Sequence, residues 1–166
     1  MSIESDIMPV LKRIEDASPS GFAIAFHVTF TTPDFLFQTY RKDWMDYYSE
    51  HGLVMQDPVV RWGFSNLGKA RWADFEAEDE FGVLEKAREF GIVHGSAYAI
   101  EEAGSRSFAG FARADREYTD AEIDALAKDV AHLHRITSHE GKLTPDARSA
   151  LKNMSVKFTH PERRPN

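Results

Sequence analysis

Apolar residues at Ile3, Ile7, Val10, Leu11 and Ile14 recur at the spacing of one helix face, so the chain opens with an amphipathic helix of about four turns. Pro9 inside it either kinks the helix or shifts its start, and Ser18-Pro19-Ser20-Gly21 stops it. The period then changes to two. Phe22 to Phe30 alternates as a strand, Thr31 to Asp34 reads as a turn, and Phe35 to Gln38 returns as a second, antiparallel strand. Arg41 to His51 is helical up to Gly52, and Pro58 to Asn66 is a short helix with Asp57 placed to cap it. After a turn at Leu67-Gly68, Lys69 to Trp72 is a short or edge strand. Phe81, Leu84, Ala87 and Phe90 predict a charged helix over Phe75 to Phe90, capped by Asp74, weakened at Gly82 and ended by Gly91.

Two more strands follow, Gly95 to Glu101 and Arg106 to Ala114, joined by a turn at Glu102 to Ser105. The last helix has a clear start, because Thr119 with Glu122 forms a capping box and Tyr118 with Ile123 a hydrophobic staple. Its buried face is Ile123, Leu126, Val130, Leu133 and Thr137, and Gly141 ends it. This order predicts an α+β fold, an α/β/α sandwich of GAF/PAS-like kind. Its central antiparallel sheet has about five strands, with helices on both faces.

Composition narrows the function. A chain of 166 residues is long enough for one domain with a sizeable core. Residues 1–140 are read as that domain and residues 141–166 as a short disordered tail. No apolar run is long enough to cross a bilayer, the charged N-terminus is unlike a signal peptide, and cysteine is absent, which together fit a cytoplasmic protein. A net charge of −7 argues against a nucleic-acid surface. Charge is uneven, since Lys142 to Asn166 holds six Lys/Arg against two Asp/Glu. His27 on the first strand reads as a packed, hydrogen-bonded residue. His132, His134 and His139 suggest a metal cluster, but residues two apart face different sides of a helix, so they read as exposed or interfacial and no metal or cofactor is expected.

The candidate chemistry lies between Trp44 and Trp72. Trp44 and Tyr48 stand one helical turn apart on one face, with Tyr40 nearby, and Asp57-Pro58 opens the next element. Spacing alone is equally that of a buried aromatic stripe, and Asp57 equally that of an ordinary N-cap. Both roles fit Asp57 if backbone and ligand share its two oxygens.

Trp44, Tyr48, Asp57, Pro58 and Trp72, with the run Phe90-Gly91-Ile92-Val93-His94-Gly95, form the pattern W-x3-Y, D-P, W and F-G-x-x-x-G. This resembles the autoinducer-binding domain of LuxR-type quorum-sensing regulators, over roughly Ile3 to Ser138. The resemblance implies a cavity between the sheet and one helical layer that binds an N-acyl-homoserine lactone without turnover. It implies that Trp44 donates to the lactone carbonyl and Tyr48 to the acyl amide carbonyl, while Asp57 accepts from the amide N–H. Trp72 would pack on the lactone ring and Tyr40 line the chain. Gly95 would let backbone approach the ligand, or be a plain strand-start glycine. The family often carries Ser or Thr where this chain has Gly110, which puts acyl selectivity in question.

Full-length relatives continue into a helix-turn-helix domain. Here Leu143-Thr144-Pro145 with Ala147 to Leu151 resembles only its opening. Two readings stay open: a sensor that sequesters ligand or pairs, as homodimer or heterodimer, with a full-length LuxR-type regulator, and a degenerate, ligand-independent dimerisation module. Neither requires specific nucleic-acid binding or a membrane.

Overall fold

The computed structural model describes residues 3–138 and 144–159. Helix α1 (Ile3–Ala17) leads into β1 (Gly21–Thr29) and β2 (Thr32–Gln38), followed by α2 (Lys42–Glu50), a 3-10 turn at Leu53–Met55 and α3 (Pro58–Ser65). Then come β3 (Gly68–Arg71), a 3-10 segment at Trp72–Glu78, α4 (Val83–Arg88), β4 (His94–Glu102), β5 (Ser105–Arg113), α5 (Asp120–Ile136) and α6 (Pro145–Thr159). The five strands form one antiparallel sheet in the order β2-β1-β5-β4-β3. The expected α+β sandwich is the observed fold.

Alternation along the strands separates two cores. Phe22, Ile24 and Phe26 of β1 join Phe35 and Phe37 of β2 and Phe111 of β5 against Ile7, Leu11 and Ile14 of α1 and Leu126, Val130 and Leu133 of α5. The opposite face packs Trp44, Val59, Trp72, Phe75, Leu84, Ala87 and Ile92 from the α2, α3 and α4 layer. Pro9 lies within α1 without shifting its start, and Ile7 and Leu11 on either side of it are fully buried.

Several boundaries differ from the sequence reading. The β1–β2 hairpin turns at Phe30-Thr31, because Thr29 already pairs with Thr32 and Phe30 takes the left-handed conformation at φ 57°. Thr31 to Asp34 is therefore mostly strand, and Pro33 is tolerated because β2 is an edge. The single helix expected over Phe75 to Phe90 does not form. Gly82 is left-handed at φ 69°, which breaks the helical path, and the Asp79 carboxylate accepts from the N–H groups of Val83 and Leu84 to start α4 afresh. Phe81, expected on the buried face, is 57% exposed.

The capping box of α5 is present in both directions, Glu122 N–H to Thr119 Oγ1 at 3.1 Å and Thr119 N–H to Glu122 Oε1 at 2.8 Å. The helix ends at Ile136 with Thr137 as its cap; Gly141 lies outside the described residues. The tail read as disordered contains α6, which buries Leu151 and Met154 in the first core. Ser155 Oγ accepts from Leu36 N–H at 3.1 Å and donates to the Leu36 carbonyl, so α6 occupies the outer edge of β2.

His27 is packed and hydrogen-bonded, as its setting in the strand suggested. It sits in a bulge between Ala25 and Val28 with φ 53°, its ring bonded to Ser105 Oγ at 2.7 Å and Thr137 Oγ1 at 3.0 Å. His134 corrects the reading of exposed histidines. It is 1% exposed, hydrogen-bonded to Ser107 Oγ at 2.6 Å, with its ring tilted 33° to that of His27 at 4.5 Å. His132 is exposed and His139 lies outside the described residues. Among the described residues no group of three or more His, Cys, Asp or Glu is placed to hold a metal ion, and no helix is long and apolar enough to cross a membrane.

Candidate ligand-binding site

Small residues on the second face of β1 and β5 leave room above the sheet. Ala23 and Ala25 interleave with the large residues of β1, and Gly110 of β5 pairs with Ala23. Over this floor lies a cavity of about 580 Å³, lined on its far side by residues of α2, α3 and α4. That size suits a small organic molecule. Its wall is mostly apolar, with Val59, Leu84 and Ile92 among the residues that line it.

Five of the seven residues singled out from sequence line this cavity: Tyr40, Trp44, Tyr48, Asp57 and Trp72. Helix α2 carries Trp44 and Tyr48 one turn apart with ring centroids 5.7 Å apart, and Trp44 is 5% exposed. Tyr47 stacks on Trp44 at 6.0 Å. Asp57 caps α3 through Oδ1, which accepts from Val59 N–H at 2.9 Å, and its Oδ2 accepts the Tyr48 hydroxyl at 2.8 Å. A carboxylate has about four lone-pair sites, so Oδ2 keeps capacity for one further donor.

Burial raises the Asp57 pKa, opposed by the hydrogen bonds from Tyr48, Val59 and Val60. Burial, with the nearby Asp57 charge, also pushes the Tyr40 and Tyr48 phenols well above their usual range, so both stay protonated donors. The Tyr40 hydroxyl makes one long contact, 3.5 Å to the Gly110 carbonyl. Trp72, read as the end of a strand, instead opens the 3-10 segment; it is 7% exposed and its indole N–H has no hydrogen-bond partner among the described residues.

The other two residues stand outside the wall. Pro58 is buried at the first position of α3, where its fixed φ helps start the helix. Gly95 lies behind Trp72, where an added Cβ would come within 1.9 Å of the indole ring. Its lack of a side chain admits the tryptophan, rather than a ligand. Sequence reasoning missed the floor. The alternation of Ala23 and Ala25 with Phe22, Ile24 and Phe26 was its visible sign.

The profile described as "Autoinducer binding domain" matches residues 22–140. The chain belongs to the LuxR family of autoinducer-binding domains. This is a quorum-sensing family of regulators rather than enzymes. LuxR of Aliivibrio fischeri, a transcriptional activator protein, is 30% identical over 107 residues, which cover 60% of this chain and 43% of LuxR. SolR of Ralstonia nicotianae, also a transcriptional activator protein, is 28% identical over 123 residues, 70% of this chain and 52% of SolR. The chain thus spans about half the length of the curated relatives it matches.

Among solved structures, CepR2 from Burkholderia cenocepacia, an N-acylhomoserine lactone dependent LuxR family transcription factor, superposes with a TM-score of 0.61. The match covers 86% of this chain and 89% of that one at 15% identity. SdiA in complex with octanoyl-rac-glycerol gives 0.59 at 19% identity, covering 84% of this chain and 62% of SdiA. At these identities both comparisons show the LuxR ligand-binding fold alone.

Proposed function

We propose that this LuxR-family domain binds an N-acyl-homoserine lactone in the cavity above β1 and β5. The observation that carries the reading is the convergence of Trp44, Tyr40, Tyr48, Asp57 and Trp72 on one mostly apolar cavity of about 580 Å³. Asp57 accepts from the ligand amide N–H through the spare capacity of Oδ2. Trp44 donates its indole N–H to the lactone carbonyl, and Trp72 packs against the ring. The amide carbonyl needs a donor with a free proton. Tyr48 has one proton and gives it to Asp57, whereas among the described residues Tyr40 holds only its long contact to Gly110, so Tyr40 is assigned that role and Tyr48 the support of Asp57. This revises the roles that the family resemblance gave the two tyrosines.

A ligand-independent pairing module would fill the cavity with its own side chains; the open volume favours a sensor. On this reading the protein works in the cytoplasm, needs no specific nucleic acid, and acts by sequestering ligand or by pairing with itself or a full-length LuxR-type regulator.

The test is thermal unfolding against acyl-homoserine lactones of graded chain length, with ring-opened acids as controls. Octanoyl glycerol, the ligand class seen with SdiA, is included because it lacks the amide N–H. A ligand that binds only the folded state stabilises it by about 2.7 kcal/mol at a hundredfold excess over Kd. The expected result is a shift with intact lactones only. A flat response across the panel removes the proposal. A charge-assisted hydrogen bond contributes about 1.5–3 kcal/mol, so Asp57→Ala is expected to weaken binding roughly ten- to a hundredfold. A loss below about twofold would take Asp57 out of the site.

A further inference from the structure

The pairing registers align one residue from each strand in a single row across the sheet. Ala70 of β3 faces Ala97 of β4, Ala97 faces Gly110 of β5, Gly110 faces Ala23 of β1, and Ala23 faces Gln38 of β2. Directly opposed residues project to the same face. The row reads small, small, small, small, then a carboxamide. Gln38 lines the cavity and is partly buried, and its carboxamide makes no hydrogen bond among the described residues.

The middle of the row, at Gly110, is where the head of the ligand is assigned. A Cβ on Gly110 would lie 3.6 Å from the Tyr40 hydroxyl and 3.4 Å from the Trp72 ring. Gln38 is two strands further on, roughly 10 Å away between backbones at the usual strand spacing, and only Ala23 stands between. A glutamine side chain extended over Ala23 covers about half that gap. Its amide therefore meets whatever part of the ligand follows the carbonyl.

A plain methylene chain laid there would strip water from a carboxamide and return nothing. Sites that hydrogen-bond a ligand oxygen discriminate strongly against analogues that lack it. We propose that Gln38 is a specificity-determining residue, selecting acyl chains that carry an oxygen, keto or hydroxyl, on the carbons next to the amide carbonyl. The proposal rests on the lactone reading above. Gln38 can donate to a keto oxygen and can both donate to and accept from a hydroxyl.

Titration calorimetry with three lactones of equal chain length, unsubstituted, 3-oxo and 3-hydroxy, tests it on the full chain. The wild type is expected to bind at least one oxygenated lactone about tenfold more tightly than the plain one, and Gln38→Leu to reduce that ratio below about twofold. Gln38→Glu, which keeps an acceptor and loses the donor, is expected to retain the hydroxy lactone over the keto lactone, and serves if the leucine variant fails to fold. Equal or tighter binding of the plain chain by the wild type, an oxygenated-over-plain preference that survives in Gln38→Leu, or a keto lactone held as tightly as the hydroxy one by Gln38→Glu, overturns the role of Gln38. Binding of none of the three overturns the lactone reading beneath it, a result distinguishable from loss of preference alone.

Discussion

Asp57 shows how one side chain serves fold and recognition together. Its folded pKa is raised by burial, so between the unfolded and folded pKa values the native state holds a proton that the unfolded chain has already lost. Stability contributed by this group therefore falls as pH rises from the unfolded carboxylate value of about 3.9 to the raised folded one, and stays reduced above it. Asp57→Asn keeps an N-cap and carries no charge, so its stability relative to wild type is expected to improve across that window in denaturant titrations at several pH values. The same variant is expected to lose lactone binding, because it turns a carboxylate acceptor into an amide. Two glycines offer a contrast at the same scale. Gly95→Ala drives a Cβ into the Trp72 indole and is expected to lower Tm by several degrees or prevent folding. Gly110→Ala makes only ordinary contacts of 3.4–3.6 Å and is expected to leave Tm within about a degree or two.

Elements divide sharply between those visible in the sequence and those that were not. The capping box at Thr119 and Glu122 and the Asp57-Pro58 start of α3 are local signals, each satisfied within a few residues, and both stand in the structure. The period-two pattern of β1 and β5 survives because one face of each is buried under large residues. The segment from Phe75 to Phe90 misled because its helical spacing was real on both sides of a break. Gly82 is compatible with a helix interior at modest cost, and only its left-handed φ stops the helix. A Cβ there would have open space around it, 3.7 Å from the Glu85 carboxylate, so strain alone is at issue. Gly82→Ala is expected to destabilise by about 1–2 kcal/mol, measured by denaturant unfolding, with ligand binding unchanged. His134 and Gln38 escaped notice for another reason. The burial of one and the cavity placement of the other depend on partners far away in sequence.

At the scale of the molecule, the sheet has two outer strands. The outer strand β3 is only four residues long and flanked by Lys69–Asp124 and Arg71–Asp120 ion pairs. The outer strand β2 is seven residues long, and Ser155 of α6 engages both the N–H and the carbonyl of Leu36 on its open side. The recognised family region stops at residue 140, whereas α6 begins at Pro145. The unit that covers the open edge of β2 is therefore longer than the recognised region. A version ending at residue 140 would present unpaired backbone along β2 together with the apolar surface left by Leu151 and Met154, the combination that templates strand-to-strand association. It is expected to form aggregates or higher oligomers in size-exclusion chromatography at concentrations where the 166-residue chain does not. Leu151→Ala, which retains the helix but opens a hole beneath it, should cost about 2–5 kcal/mol by denaturant unfolding. If that outcome holds, α6 acts as a chaperone carried in cis: a segment beyond the recognised region keeps the domain from polymerising through its own edge.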